Sequence, residues 1–276
     1  MMGRVAGGVV GLLVVAAGRG WGQGVTLQIK PHLGDTLRMV LDQRSEMTGV
    51  KRTAAGDATA MVVNTLKMFS RAIVEGASGK GTLVLAVTDS ALMSTTDDRA
   101  RAATLQAQAA MRGQRVRFRV LPDGSVGMSE AGGAPRDVAQ VVSVMPAAFP
   151  RSPINVGESW IREMPVPAGT QFGAQLSGTL YVTFRFDSLT HAGDWAYVSM
   201  RGEMKPVGGQ SSVSGMVLEK GVVTGTMLVD RRRGWLTESW FRIAMSSVVT
   251  PPLAAGLMSM HTEMRITQHM RTLERR

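Results

Sequence analysis

The sequence predicts an α+β fold: one large, curved antiparallel β-sheet with two helices packed on one of its faces. Three observations support this prediction. Apolar and polar residues alternate with period two along most of the chain, two segments show helical spacing instead, and turn signals separate successive strands. Strands joined by short turns pair antiparallel, which leaves the helices to cover one face of the sheet.

The first 24 residues have the composition of a signal peptide. Arg4 gives a basic start, residues 5–17 are uncharged and mostly apolar, and small residues lead to Gly24. The uncharged run is shorter than the roughly 20 residues that a helix needs to cross a bilayer. We therefore predict cleavage near Gly24 and export of residues 25–276, without a transmembrane anchor, to the periplasm or the cell exterior. The alternative is that these first residues stay uncleaved as an N-terminal anchor.

The chain contains no cysteine. This excludes disulfides, thiolate metal sites, thiol nucleophiles and the lipid-accepting cysteine of bacterial lipoproteins. A mature chain of about 250 residues can instead bury a core large enough to be stable by itself. We expect no cofactor, no metal site and no catalytic residue of a familiar motif.

The chain is basic, with 31 Lys and Arg against 21 Asp and Glu, but its positive residues are scattered and only 5% of residues are aromatic. That pattern argues against a nucleic-acid partner and favours attraction to anionic envelope surfaces. The densest cluster is Arg231, Arg232 and Arg233, between Asp230 and Gly234. A solvated hairpin turn explains it; the functional alternative is contact with an anionic lipid head group, whose phosphate suits guanidinium.

The first half of the mature chain contains four predicted strands and two predicted helices. In residues 34–48, apolar Leu37, Met39 and Leu41 alternate with polar positions, and similar strands follow at residues 58–74, 82–89 and 114–121. The alanine-rich residues 99–111 follow a capping-box-like start and predict one helix. A second helix is predicted over residues 135–145, with an apolar stripe that ends before a proline: Val138, Val141, Val142 and Met145.

The second half is almost entirely strand. Strands are predicted at residues 158–164, 178–189, 195–204, 212–230, 235–249 and 259–272. The residues Gly34-Asp35-Thr36-Leu37 resemble Gly157-Glu158-Ser159-Trp160, and each group begins a strand. We therefore predict a single strand-rich domain over residues 25–276 and hypothesise that residues 25–149 and 153–276 are two related halves.

One strand collects titratable side chains on a single face. His261, Glu263, Arg265 and His269 alternate with apolar residues, so they share one side of an extended chain. A solvated strand face explains this pattern. The alternative is a hydrolase-type site near His261 and Glu263.

Methionine is unusually frequent, with 20 residues. Its flexible side chain fills irregular apolar space and adapts to varied partners, which suits either a core or a cavity for a lipid chain. The residues that we predict to line such a cavity are Met39, Met68, Phe118, Phe184, Trp240 and Met264.

Several stretches resemble a family of exported bacterial proteins known only as a domain of unknown function: residues 33–36, 117–124, 156–160 and 225–230. The layout of strands and helices also resembles the half-barrel of LolA-like and LppX-like lipoprotein and lipid carriers. This resemblance implies an envelope protein that binds a hydrophobic ligand, a lipid or a lipidated partner in a concave sheet. A structural or assembly role is the remaining alternative, because a long sheet has edges that can pair with a partner strand.

Overall fold

The structure, a computed structural model, describes residues 24–53, 56–78, 81–128, 149–165, 178–206, 216–249 and 260–273. Within these ranges the chain forms eleven strands and one α-helix. The first half contains β1 (Thr36–Thr53), β2 (Gly56–Ser78), β3 (Gly81–Thr95), α1 (Arg101–Met111), β4 (Arg115–Val120) and β5 (Val126–Met128). The second half contains β6 (Ser159–Pro165), β7 (Gly178–Thr190), β8 (Trp195–Pro206), β9 (Met216–Asp230), β10 (Trp235–Val249) and β11 (Met260–Leu273).

The described strands form one sheet in the order β5-β4-β3-β2-β1-β11-β10-β9-β8-β7-β6, and every neighbouring pair is antiparallel. The large antiparallel sheet is therefore confirmed. Each half is a meander, and the halves join at the centre, where β1 pairs with β11 from Arg38 opposite Leu273 to Lys51 opposite Met260.

The prediction of two helices on one face needs correction. The first helix is present as α1, and it is the one α-helix among the described residues; none of its residues is buried. It lies beside β3, where Met93 donates its backbone N–H to the side-chain oxygen Oε1 of Gln108. The second predicted helix, residues 135–145, lies outside the described residues.

The two faces of the sheet differ sharply in polarity. Side chains at alternate positions of β1–β4 and β7–β10 join one buried cluster, in which Val84, Phe184 and Phe186 have no exposed surface. The opposite, outer face contains most of the charged residues of the strands, for example Arg38, Asp42 and Arg44 on β1. Glycines on the inner face, such as Gly202 and Gly225, have no room for a Cβ, which lets neighbouring strands approach closely.

A closing segment, residues 25–31, connects the two ends of the curved sheet. Val25 pairs with Ile154, which precedes β6, while Ile29 donates its N–H to the carbonyl of Pro122, which follows β4. The next residue, Lys30, donates its N–H to the carbonyl of Gly234 in the turn between β9 and β10. The alternate side chains of the segment are buried: Leu27, Ile29 and Pro31. The inner face is therefore concave and closed at this end.

The turns that begin β1 and β6 share one hydrogen-bond pattern. Gly34 donates its N–H to the carbonyl of Val74, and Val74 donates back to Asp35. The turn before β6 repeats both bonds: residue 157 donates its N–H to the carbonyl of residue 186, and residue 186 donates back to the carbonyl of residue 158. Gly34 and Gly157 have similar left-handed φ values of 84° and 92°. The duplication of the two halves stays a prediction, but their similar first residues form the same turn.

Candidate functional site

The concave face holds an apolar cavity of about 100 Å³. Strands β1 to β5, β10 and β11 form most of its wall, and Ile29 of the closing segment, Met111 of α1 and Gly124 between β4 and β5 contribute the rest. The apolar wall includes Met39, Leu41, Met68, Phe118, Val120 and Met270. These strands place alternate side chains inward, so the cavity follows directly from the period-two pattern of the sequence.

The volume decides what this cavity can hold without rearrangement. A cavity of roughly 150 Å³ accommodates benzene, so about 100 Å³ accommodates a short alkyl segment of a few carbons. A longer chain requires side chains in the wall to move. Met39, Met68 and Met270 are suited to such movement, because an unbranched thioether has three rotatable bonds and no strong shape preference.

A few polar groups interrupt the apolar wall. Gln268 is 7% exposed as a residue, and its side-chain amide is accessible in the cavity wall and makes no hydrogen bond to any described residue. Trp235 is 5% exposed, and its indole Nε1 also has no acceptor within the described ranges. Thr88 donates its hydroxyl only to the sulfur of Met68, at 3.9 Å. The wall therefore carries hydrogen-bonding capacity that the described part of the protein leaves unused.

The predicted lining residues are divided between three places. Met39, Met68 and Phe118 line the cavity. Phe184 and Met264 are buried on the same concave face but away from the cavity, Phe184 stacked on Trp160 with ring centroids 5.5 Å apart. Whether any of them binds a ligand stays a prediction.

Trp240 was predicted to line the cavity, and the structure places it elsewhere. It lies on the outer face, opposite His269 of β11 and under the guanidinium of Arg242, which is 5.6 Å from its ring. Its neighbour Phe241 is the inward residue and is 3% exposed. Trp240 is therefore part of the solvated side of the sheet.

The titratable residues of β11 are on the outer face, separated from the cavity by the sheet. His261 Nδ1 is 3.5 Å from the carboxylate of Glu219, and His269 Nε2 is 2.6 Å from that of Glu238. Glu263 makes no ion pair within the described ranges. His261 and Glu263 thus share the outer face of β11, and a hydrolase-type site there stays a prediction. No cluster of three metal-binding side chains occurs among the residues described.

The three consecutive arginines form the predicted hairpin turn between β9 and β10. Arg231 donates a side-chain hydrogen bond to the carbonyl of Gly193, in the adjacent turn between β7 and β8. Arg232 lies 3.7 Å from Asp194, and Arg233 lies 3.5 Å from Asp230. These local contacts explain the cluster structurally, and its contact with an anionic surface stays a prediction.

The groups with displaced pKa values lie outside the cavity. Hydrogen bonds from the side chain and backbone of Asn155 lower the pKa of Glu158. The negative charge of Glu163, which accepts a hydrogen bond from the hydroxyl of Tyr181, raises the pKa of that tyrosine. Both pairs contribute to structure at the β6 edge of the sheet, and neither provides an acid or base to the cavity.

Sequence reasoning missed the polar residues of the wall and the closing segment. Gln268 lies between Ile266 and Met270 on the inward side of β11, so a polar residue in an apolar alternation was the signal for it. Ile29 had no such signal, because residues 25–31 are few and follow the predicted cleavage site directly.

Comparison with known proteins gives a fold and no family. No family model matches the chain, and no curated protein matches it. The chain is similar in fold to lipovitellin, in a structure of its lipid–protein interactions: 10% identity, TM-score 0.50, covering 89% of this chain and 26% of that one. This chain thus spans about a quarter of the lipovitellin chain, and the similarity concerns the fold alone.

Two further solved structures have much lower TM-scores. The Salmonella SPI-1 type III secretion secretin InvG is 8% identical over 87% of this chain and 60% of that one, with a TM-score of 0.17. A putative outer membrane lipoprotein-sorting protein domain from Vibrio parahaemolyticus is 10% identical over 84% and 83%, with a TM-score of 0.14. At these scores neither supports a conclusion. Within the described ranges, no helix has the length and hydropathy of a membrane span.

Proposed function

We propose that this chain is an exported, non-enzymatic envelope protein that binds a lipid, or another molecule with an apolar chain, in its concave sheet. The observation that supports this proposal is the methionine-lined cavity on the concave face. Concave, mostly apolar pockets with a few polar groups are the usual form of a small-molecule site. The similarity in fold to lipovitellin, a protein whose structure describes lipid interactions, is compatible with it.

The test compares the bound contents of wild-type protein with those of a variant whose cavity is filled. Ala86 lines the cavity, so Ala86→Leu places extra methyl groups into it. Ala244, opposite Arg265 of β11, lies on the outer face, so Ala244→Leu is the matched control. Native mass spectrometry should find an apolar ligand on the wild type and on Ala244→Leu, and less of it on Ala86→Leu.

Two results would contradict the proposal. One is a wild-type protein that is empty after purification and takes up no added fatty alcohol. The other is equal ligand retention by Ala86→Leu and the wild type, both folded by circular dichroism. Export is tested separately, by N-terminal sequencing of protein from the periplasm and the medium: a mature chain that begins near Val25 is expected.

A further inference from the structure

We propose that the ligand of the cavity carries one uncharged hydrogen-bonding group, such as an alcohol, ester or amide, which binds to Gln268. This inference rests on the proposed function and specifies the chemistry of its ligand. It starts from Gln268, a residue only 7% exposed, whose side-chain amide is accessible in the cavity wall and makes no hydrogen bond to the described part of the chain.

A polar amide in a mostly apolar cavity wall is costly once an apolar ligand covers it. The ligand displaces the water that the amide can contact in the empty cavity, and the penalty is returned only when a polar group of the ligand replaces that water. A leucine or methionine at this position would avoid the penalty, as Met264 and Met270 do on the same face of β11. Gln268 is therefore explained by a partner that enters the cavity with the ligand.

A second unpartnered group lies next to Gln268. Ser45 of β1 is 5% exposed, and its Oγ has no hydrogen-bond partner within the described residues. The register pairs Gln43 with Gln268 and Ser45 with Ile266, so Ser45 and Gln268 are diagonal neighbours on the concave face. The buried, unpartnered Oγ of Ser45 and the accessible amide of Gln268 define a polar band beside the apolar cavity.

The position of this band orients the ligand. Gln268 is paired with Phe241, well along β10, whereas Trp235 begins β10 beside the closing segment. The polar group of the ligand therefore lies away from the closed end, and its apolar part points toward Ile29.

The chemistry of the wall favours an uncharged group. An amide donates and accepts hydrogen bonds, so it can pair with a hydroxyl, an ester or another amide. A carboxylate in an apolar cavity needs a cation to offset its lost hydration. Among the described residues of the wall, Arg71 is the one that is charged, and its guanidinium pairs with Asp89, with Nη2 2.8 Å from Oδ1.

The experiment uses three probes of one chain length: hexane, 1-hexanol and hexanoate, titrated at neutral pH and followed by NMR. The wild type is compared with Gln268→Leu. The matched control is Thr267→Val, which makes the same polar-to-apolar change on the outer face of β11. Gln268→Leu should weaken 1-hexanol binding roughly threefold to tenfold, the usual effect of one hydrogen bond, and leave hexane binding unchanged. Thr267→Val should change neither, and hexanoate should bind the wild type more weakly than 1-hexanol.

Each outcome has one meaning. If Gln268→Leu binds 1-hexanol as the wild type does, or if hexanoate binds the wild type more tightly than 1-hexanol, this inference is wrong while the proposed function stands. If none of the three probes binds the wild type, the proposed function itself fails. A second variant, Trp235→Phe, removes the indole donor at the closed end, and a selective loss of 1-hexanol there would reverse the orientation and overturn the assignment to Gln268.

Folding of the variant is not an obstacle. Replacing an amide that has no partner in the protein with an apolar side chain of similar size, in a mostly apolar wall, should keep or raise the melting temperature of the empty protein. A lower melting temperature for Gln268→Leu would show that the amide has a structural partner, and would also overturn the inference.

Discussion

The side chain of Met204 in β8 lies directly over Gly221 in β9, where an added Cβ would be 2.7 Å from both Cβ and Sδ of the methionine. Met200 has the same relation to Gly225, whose Cβ would lie 2.5 Å from its terminal methyl carbon. The methionines thus occupy the space that glycine leaves on the concave face. Part of the high methionine content is explained by this packing, independently of any ligand.

Gly221→Ala should destabilise the protein because the new methyl group overlaps Cβ of Met204, which is fixed to the backbone. Overpacking of this kind costs about 1–3 kcal/mol. Gly127→Ala in β5 is the control, since a Cβ at that residue meets no atom within 4 Å. In urea unfolding, Gly221→Ala should have a lower free energy of unfolding than the wild type, and Gly127→Ala should not. Equal stabilities of the two variants would contradict this account of the packing.

Gly34→Ala and Gly157→Ala should have nearly equal costs. Both glycines adopt left-handed φ values, and a Cβ at either residue meets nothing within 4 Å, so only backbone strain is added. We expect a loss of about 1–2 kcal/mol in the free energy of unfolding for each. A neutral effect at one residue and a large effect at the other would show that the two turns are not equivalent.

Glu158→Gln should make the free energy of unfolding less dependent on pH in the acidic range. The folded-state pKa of Glu158 lies below its ordinary value of 4.5, because Asn155 hydrogen-bonds the carboxylate. Its contribution is present above 4.5 and is lost as the pH falls through the lower folded-state pKa. In urea unfolding, the variant should be less stable than the wild type at neutral pH, and the difference should shrink in acid. Glu203→Gln, which removes a carboxylate without a described partner, should show no such change.

Gly234→Ala should loosen the closing segment. A Cβ there would lie 2.3 Å from the carbonyl oxygen of Lys30, so the hydrogen bond between these residues cannot persist. The end of the cavity beside Ile29 should open, which increases binding of a hydrophobic fluorescent dye and lowers the melting temperature. Gly193→Ala is the control, because it adds similar φ strain in the adjacent turn with no atom nearer than 3.6 Å. If both variants bind dye equally, the closing segment does not seal the cavity.

The strands were predictable because each has one buried and one solvated face, so apolar and polar residues alternate along it. Alternation alone did not predict the side of the sheet on which Trp240 lies. The register of β10 and β9 shifts between Leu236 and Glu238, so the inward residues change from even to odd numbers. Trp240 and Phe241 are both aromatic, and only the shift decides that Phe241 faces inward.

The cavity was predictable in part. Met39, Met68 and Phe118 follow the inward alternation of their strands, and their place in the wall required no knowledge of the strand order. Ile29 and Trp235 reach the same wall only because the closing segment crosses the end of the sheet. That path depends on contacts between residues far apart in the chain, and a local sequence pattern cannot predict such contacts.

The pairing of β1 with β11 at the centre of the sheet governs the order in which this protein can fold. During synthesis, β1 emerges before every other described strand and β11 after them all. Until then the two meanders have nothing to join them at the centre, and β1 presents a bare edge. Contacts between such distant residues form slowly, and the waiting edge invites aggregation. Nascent chains should therefore depend on a chaperone until β11 is available.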